Sequence, residues 1–297
     1  MCDNRPDMFL DLLRLARPTH WVKNLFLLLP VPFAVAAGSE LHLGGLALGL
    51  LGFSLVSSSV YVLNDLVDAP LDRTHPAKRR RPLAAGRISR GAAVAWSMGL
   101  LAAGSAVTFV AREGAALPMV ELYVIINILY TFGLKHIPLV DIFLLASGFL
   151  LRVLAGCALL GAAPSSWLLL CGSALALFLA LSKRRVDLGA GLGAEHRPSL
   201  AGYSLPFLDQ GMGIAAAVAL LSYALYCMDS QVLLEGREFA SVPLVAFGIF
   251  SYLRRVQVEG GGGSPVEILL RSPALLLTLL GWGVTILWSL GAFSGAR

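Results

Sequence analysis

Repeated apolar runs about as long as a bilayer is thick constrain this chain more than any other feature. Nine occur, at roughly 22–38, 44–63, 93–110, 117–134, 138–161, 166–182, 211–228, 241–253 and 273–292, the eighth being short. A helix needs about 20 mostly apolar residues to cross a hydrocarbon core of about 30 Å, and inside that core only helices and closed barrels satisfy their backbone polar groups. The expected fold class is all-α, a polytopic membrane protein of about nine transmembrane helices. Composition agrees, with 57% hydrophobic residues and a mean hydropathy of +0.76.

The net charge of +5 is read as topology, not as a nucleic-acid surface. If the N-terminus is cytoplasmic, 19 of the 23 Lys and Arg residues fall in cytoplasmic segments. Three, Arg112, Arg237 and Arg297, fall outside, and Arg152 lies within a helix. Asp7 to Arg17 has apolar residues on one side and Asp11, Arg14 and Arg17 on the other, which predicts an interfacial amphipathic helix within residues 1–20, with no cleaved signal peptide. Cys2, Cys157, Cys171 and Cys227 lack ligand spacing and are read as small packing residues. Gly260 to Gly263 read as a linker inside one domain, residues 1–297.

Against this background one stretch is dense in charge. Tyr61 to Gly86, YVLNDLVDAPLDRTHPAKRRRPLAAG, carries acids first and then a basic run, Lys78 to Arg81, in a chain where 14% of residues are charged. Asn64, Asp65, Asp68 and Asp72 follow helical spacing, so a helix continued past the apolar run stacks the carboxylates on one face. Oxygen ligands of this kind suit Mg²⁺ shared with substrate phosphates. The alternative is a solvated loop of mixed charge. Pro70 removes a helical hydrogen bond between Asp68 and Asp72, and a kink is expected there. Three more polar clusters fall on the same side: RPTHWVKN at Arg17 to Asn24, YTFGLKHIPLVD at Tyr130 to Asp141, and SKRRVD at Ser182 to Asp187.

These motifs resemble those of the UbiA superfamily of intramembrane prenyltransferases. NDxxDxxxD matches at Asn64, Asp65, Asp68 and Asp72, RPLxxG matches at Arg81 to Gly86, and the likeness runs over nearly the whole chain. RPTHWVKN, YTFGLKHIPLVDIFLLASGFLLRVLAG and LSKRRVDL look most like the branch of decaprenyl-phosphate phosphoribosyltransferases. The resemblance implies a UbiA-like bundle with a cytoplasmic-side active site in two catalytic cytoplasmic loops, residues 64–92 and 183–207, in a bacterial inner membrane, serving cell-wall biogenesis. The implied substrates are phosphoribosyl diphosphate and a polyprenyl phosphate among membrane lipids, with no nucleic acid. Members that ionise a prenyl diphosphate usually carry a second acidic motif, DxxxD. Here Lys183 stands four residues before Asp187, with Arg184 and Arg185 following, which removes a metal ligand and adds phosphate-binding charge.

The expected site therefore has Asp65, Asp68 and Asp72 holding Mg²⁺ and acting in catalysis with Asp187. Substrate binding is expected from Lys23, Asn24, Asn64, Arg73, Lys78, Arg81, Tyr130, Lys135, Lys183, Arg184 and Arg185. A phosphate monoester with a second pKa of about 6 is already largely dianionic, so no general base is required. None of His20, His42, His75, His136 and His196 is expected to be one. Arg152 lies about 14 residues beyond Pro138, roughly 21 Å along a helix, and is expected to snorkel or to pair structurally. Two other functions share parts of this pattern. Prenyl transfer to an aromatic or quinone precursor uses the same first motif, and a lipid or ion transporter calls for midplane ionisable residues and repeated halves, neither of which is obvious.

Overall fold

A computed structural model describes residues 8–74, 78–191, 198–260 and 265–291. Cys2, His75, His196 and Gly261 to Gly263, for which expectations are stated above, lie outside the described residues, as do residues 1–7 of the segment expected to hold the interfacial helix.

The described chain is helical. The described residues begin with α1 (Met8–Ala16), and the first apolar run is then divided between a 3₁₀ segment (Pro18–Leu28) and α2 (Val31–Ala36). Next come α3 (Leu43–Asp72), α4 (Arg90–Ala111), α5 (Leu117–Thr131), α6 (Val140–Leu160), α7 (Ser166–Gly189) and α8 (Leu205–Asp229). The chain ends in α9 (Val242–Gln257), α10 (Pro265–Leu270) and α11 (Pro273–Ser289). Each of the other eight apolar runs falls largely on one helix, α3 to α9 and α11. Among the described residues six stretches are long and apolar enough to cross a membrane, Met8–Ala36, α3, α4, α6, α7 and α8, while α5 and α11 are shorter apolar helices. The protein is an integral membrane protein by this measure, and large apolar side chains such as Leu43, Val110, Ile214 and Leu280 point outward from it.

Glycines set the closest approach between helices. At the α3–α4 crossing a Cβ on Gly104 would lie 2.8 Å from the carbonyl oxygen of Gly52, so only paired glycines let the backbones meet. Gly156 of α6 lies against the Leu27 carbonyl in the same way, which presses the 3₁₀ segment onto α6.

Two expectations change. The segments expected as cytoplasmic loops begin as helix: residues 64–72 are the last turns of α3, which runs through Pro70 to Asp72 as the spacing of the acids predicts, and residues 183–189 are the end of α7. At 30 residues α3 is about 45 Å long, against a hydrocarbon thickness of about 30 Å, so its final turns carry the acids beyond the apolar layer. The second change concerns α1, whose Asp11 turns inward instead of facing water. It is 1% exposed and accepts from Arg87 Nε at 2.7 Å, while Met8 and Phe9 point out.

Candidate functional site

The final turns of α3 place its acids against cations from three other segments. Asp65 and Asp72, two turns apart, converge on a single nitrogen, Nη1 of Arg81, at 2.9 and 2.7 Å. Asp65 also accepts from Arg17, whose left-handed backbone (φ 49°) ends α1 and starts the 3₁₀ segment. Lys78 stands 3.9 Å from Asp72. Asp68 turns the other way and accepts from Lys135 at 2.6 Å. The Asn64 amide oxygen accepts from Thr131 at the end of α5. Arg73 is exposed at the helix end.

The three acids thus divide into a buried pair and a flank. Among the described residues no three His, Cys, Asp or Glu side chains converge as a metal cage. The donor chemistry nevertheless fits a hard divalent ion, because Asp65 and Asp72 already meet at one cation-sized point, where Arg81 supplies the positive charge.

At the end of α7 the adjacent cations point in three directions. Lys183 lines the mouth of a large groove. Arg184 is fully buried and donates to Asp141 at 2.6 Å, to Asp187 at 3.4 Å and to the Tyr130 hydroxyl at 3.4 Å. Asp141, also fully buried, accepts further from Ser199 at 2.9 Å and Tyr203 at 2.6 Å, and the Tyr203 hydroxyl in turn accepts the Leu139 N–H. Burial first, and then the bond to Asp141, push the Tyr203 hydroxyl well above its ordinary pKa, so it remains a donor. Arg185 reaches Asp209 at 3.1 Å. The expectation that Arg184 and Arg185 grip phosphate does not match these placements. One is enclosed in an internal network and the other faces α8.

The groove has a volume of about 1120 Å³ and is lined almost wholly by apolar side chains of the 3₁₀ segment, α2, α6, α7, α9 and α11. Lys23 and Lys183 stand at one end and Ser39, Trp167 and Asp229 at the other. Lys183 and Trp167 are 16 residues apart on α7, about 24 Å at the helical rise, so the groove runs much of the depth of the bundle. Trp167 donates to Asp229 at 2.9 Å across the far end.

Asn24 and Arg152 lie beside this groove and not in it. Arg152 is 4% exposed, donates to Asn24 Oδ1 at 2.7 Å and to the Gly148 carbonyl at 2.5 Å, and sits over the rings of Phe53, Tyr123 and Phe149 at 4.8 to 5.8 Å. It is paired rather than snorkelling. Asn24, expected to touch substrate, spends its amide on Arg152 and, at 2.9 Å, on Ser54. Arg17 and Asp141 join these clusters without having been expected there. Arg17 had a signal, since it opens the RPTHWVKN cluster, but it was assigned to the face of the interfacial helix.

The sequence matches the profile of the UbiA prenyltransferase family over residues 24–261. A decaprenyl-phosphate phosphoribosyltransferase of Corynebacterium glutamicum is 34% identical over 280 residues, covering 91% of this chain and 84% of that protein. Its namesake in Mycobacterium tuberculosis is 34% identical over 278 residues, covering 91% of each. Among solved structures, a UbiA homologue from Archaeoglobus fulgidus bound to DMAPP and Mg²⁺ superposes with a TM-score of 0.71 at 21% identity, over 96% of this chain and 100% of that one. The apo UbiA homologue from Aeropyrum pernix gives 0.67 at 17% identity, over 92% of this chain and 98% of that one. With the profile covering most of its length and relatives above 30% identity spanning it nearly end to end, the chain belongs to the UbiA prenyltransferase family.

Proposed function

We propose that this protein transfers a 5-phosphoribosyl group from phosphoribosyl diphosphate to a polyprenyl phosphate and releases diphosphate, the activity named for its 34%-identical relatives. The observation that carries the reading is the junction of two unlike surfaces. A face of acids and cations adjoins a long apolar groove whose mouth carries Lys23 and Lys183, so a phosphate tied to an isoprenoid chain has a place for each of its parts. A second carboxylate cluster, which would suit prenyl diphosphate ionisation, is replaced by Lys183 and the enclosed Arg184 network.

In this mechanism Asp65 and Asp72, with Asp68 alongside and Asn64 assisting, would hold Mg²⁺, which would supply neutralising charge for the diphosphate leaving group. Arg81 yields its place between the two acids and, with Arg17, Lys78, Arg73 and Lys135, binds phosphate oxygens of the donor. Asp187, held by Arg184 with its side chain 24% exposed, accepts from a ribose hydroxyl. Lys23 and Lys183 fix the acceptor phosphate at the groove mouth. Its dianionic oxygen attacks the anomeric carbon, forming a C–O bond as the bond to diphosphate breaks and the electron pair leaves with diphosphate. The positive-charge bias supports a cytoplasmic position for this end of the bundle, in a bacterial inner membrane.

Purified protein should convert phosphoribosyl diphosphate and polyprenyl phosphate, with Mg²⁺, into diphosphate and ribosylated lipid in equal amounts. Inertness toward that pair, together with prenylation of a hydroxybenzoate from a prenyl diphosphate, would establish the aromatic prenyltransferase reading instead.

A further inference from the structure

We propose that His20 hydrogen-bonds the phosphate of the lipid acceptor and helps select it, an assignment that rests on the phosphoribosyl-transfer reading. Among the described residues, Nδ1 of His20 is the buried side-chain polar atom that lacks a hydrogen-bond partner. Such a group has lost its water and gained nothing in return, so it marks either strain or a missing ligand.

The local helix type says which ligand. Residues three apart eclipse in a 3₁₀ helix. Over Pro18–Leu28 and its flanks, that period puts Arg17, His20, Lys23, Phe26 and Leu29 in one stripe. Arg17 meets Asp65 at the acidic face, and Lys23, Phe26 and Leu29 line the apolar groove. His20 is the link between them. An acceptor whose chain fills the groove and whose phosphate reaches toward the acidic face must pass this residue. The charged neighbours of the imidazole are Lys23, Arg17, Lys183 and, of opposite sign, Glu267, so cations dominate around it.

Among the described residues no hydrogen bond fixes the ring in its present orientation. Its contact is an edge-to-face approach to Tyr61, 5.3 Å between centroids at 83°. Rotation about the terminal side-chain torsion is soft for histidine. A phosphate drawn in by Lys23 and Lys183 can therefore be met by a turned imidazole that donates its N–H to a phosphate oxygen, a charge-assisted bond.

Steady-state kinetics on the full-length protein, varying each substrate at saturating levels of the other, test this. His20→Phe keeps a ring against Tyr61 and removes both nitrogens. It should raise KM for polyprenyl phosphate by about tenfold to a hundredfold, the range for a hydrogen bond to a charged group, and leave KM for phosphoribosyl diphosphate within about twofold of wild type. His20→Asn and His20→Gln each return an N–H donor without the ring, and at least one should recover part of that shift. The inference is overturned if His20→Phe keeps the wild-type KM for the lipid, if the change falls on phosphoribosyl diphosphate instead, or if neither amide recovers anything. A wild-type protein inert to both substrates removes the parent reading and this one with it, whereas an active wild type with an indifferent His20→Phe removes this one alone.

Discussion

At the end of α3, Asp65 and Asp72 share one nitrogen of Arg81, whose side chain is 30% exposed; at the end of α7, Arg184 and Asp141 meet with both side chains fully covered. The residue types are the same and the settings opposite. In the first cluster two buried carboxylates are neutralised by cations on long side chains that reach in from solvent, and those cations can exchange places with a bound ion or phosphate. In the second, all three nitrogens of Arg184 and both oxygens of Asp141 are bonded to protein: Asp141 to Arg184, Ser199 and Tyr203, and Arg184 to Asp141, Asp187 and Tyr130. A closed network of this kind ties α5, α6, α7 and the 198–203 turn into one frame. It holds Asp187 and, through Leu139 at the start of α6, the loop that carries Lys135 to Asp68. One cluster is arranged to change partners and the other to keep them.

Removing a partner from each should show the difference. Arg184→Met leaves Asp141 buried and uncompensated, so it should lower stability by about 3–5 kcal/mol, seen as a reduced unfolding temperature in detergent. Adding Asp141→Leu should recover part of that loss, because the stranded charge is gone. If Arg184→Met unfolds at the wild-type temperature, the network is not a frame. Asp65→Asn and Asp72→Asn should do the reverse. Each preserves volume and leaves the protein folded, while turnover falls by about a hundredfold or more, as for the loss of a preorganised electrostatic group. Unchanged turnover in excess chelator for these variants would end the Mg²⁺ assignment.

The contrast also explains what could be read in advance. The acidic spacing at Asn64, Asp65, Asp68 and Asp72 was legible because helical periodicity is local, and the apolar runs were legible because bilayer thickness sets their length. Lys183, Arg184 and Arg185 were read as one patch. On a helix successive residues point about 100° apart, so a run of three cations cannot share one target, and here they reach the groove, Asp141 and Asp209. Which of them turns inward depends on Asp141, 43 residues away, and no local rule supplies that pairing. The 3₁₀ winding of Pro18–Leu28 was hidden for a similar reason. Runs of that type are normally three or four residues long, and this one is pressed onto α6 where Gly156 admits the Leu27 backbone.

The splitting of the α7 run gives the finest test of the comparison. Lys183→Asp puts a carboxylate at the groove mouth and restores the DxxxD spacing with Asp187. Like-charge repulsion should then raise KM for polyprenyl phosphate by at least about tenfold, or abolish phosphoribosyl transfer. Arg185→Ala, two positions on, should do almost nothing to either substrate, since Arg185 reaches Asp209 on α8 and the Gln257 carbonyl and does not line the groove. Three neighbouring cations thus carry three graded expectations: a substrate effect at Lys183, a stability effect at Arg184 and a near-neutral change at Arg185. A large KM effect at Arg185 would mean that α7 turns or unwinds when phosphate binds, so that the enclosed frame and the exchangeable site are one moving part.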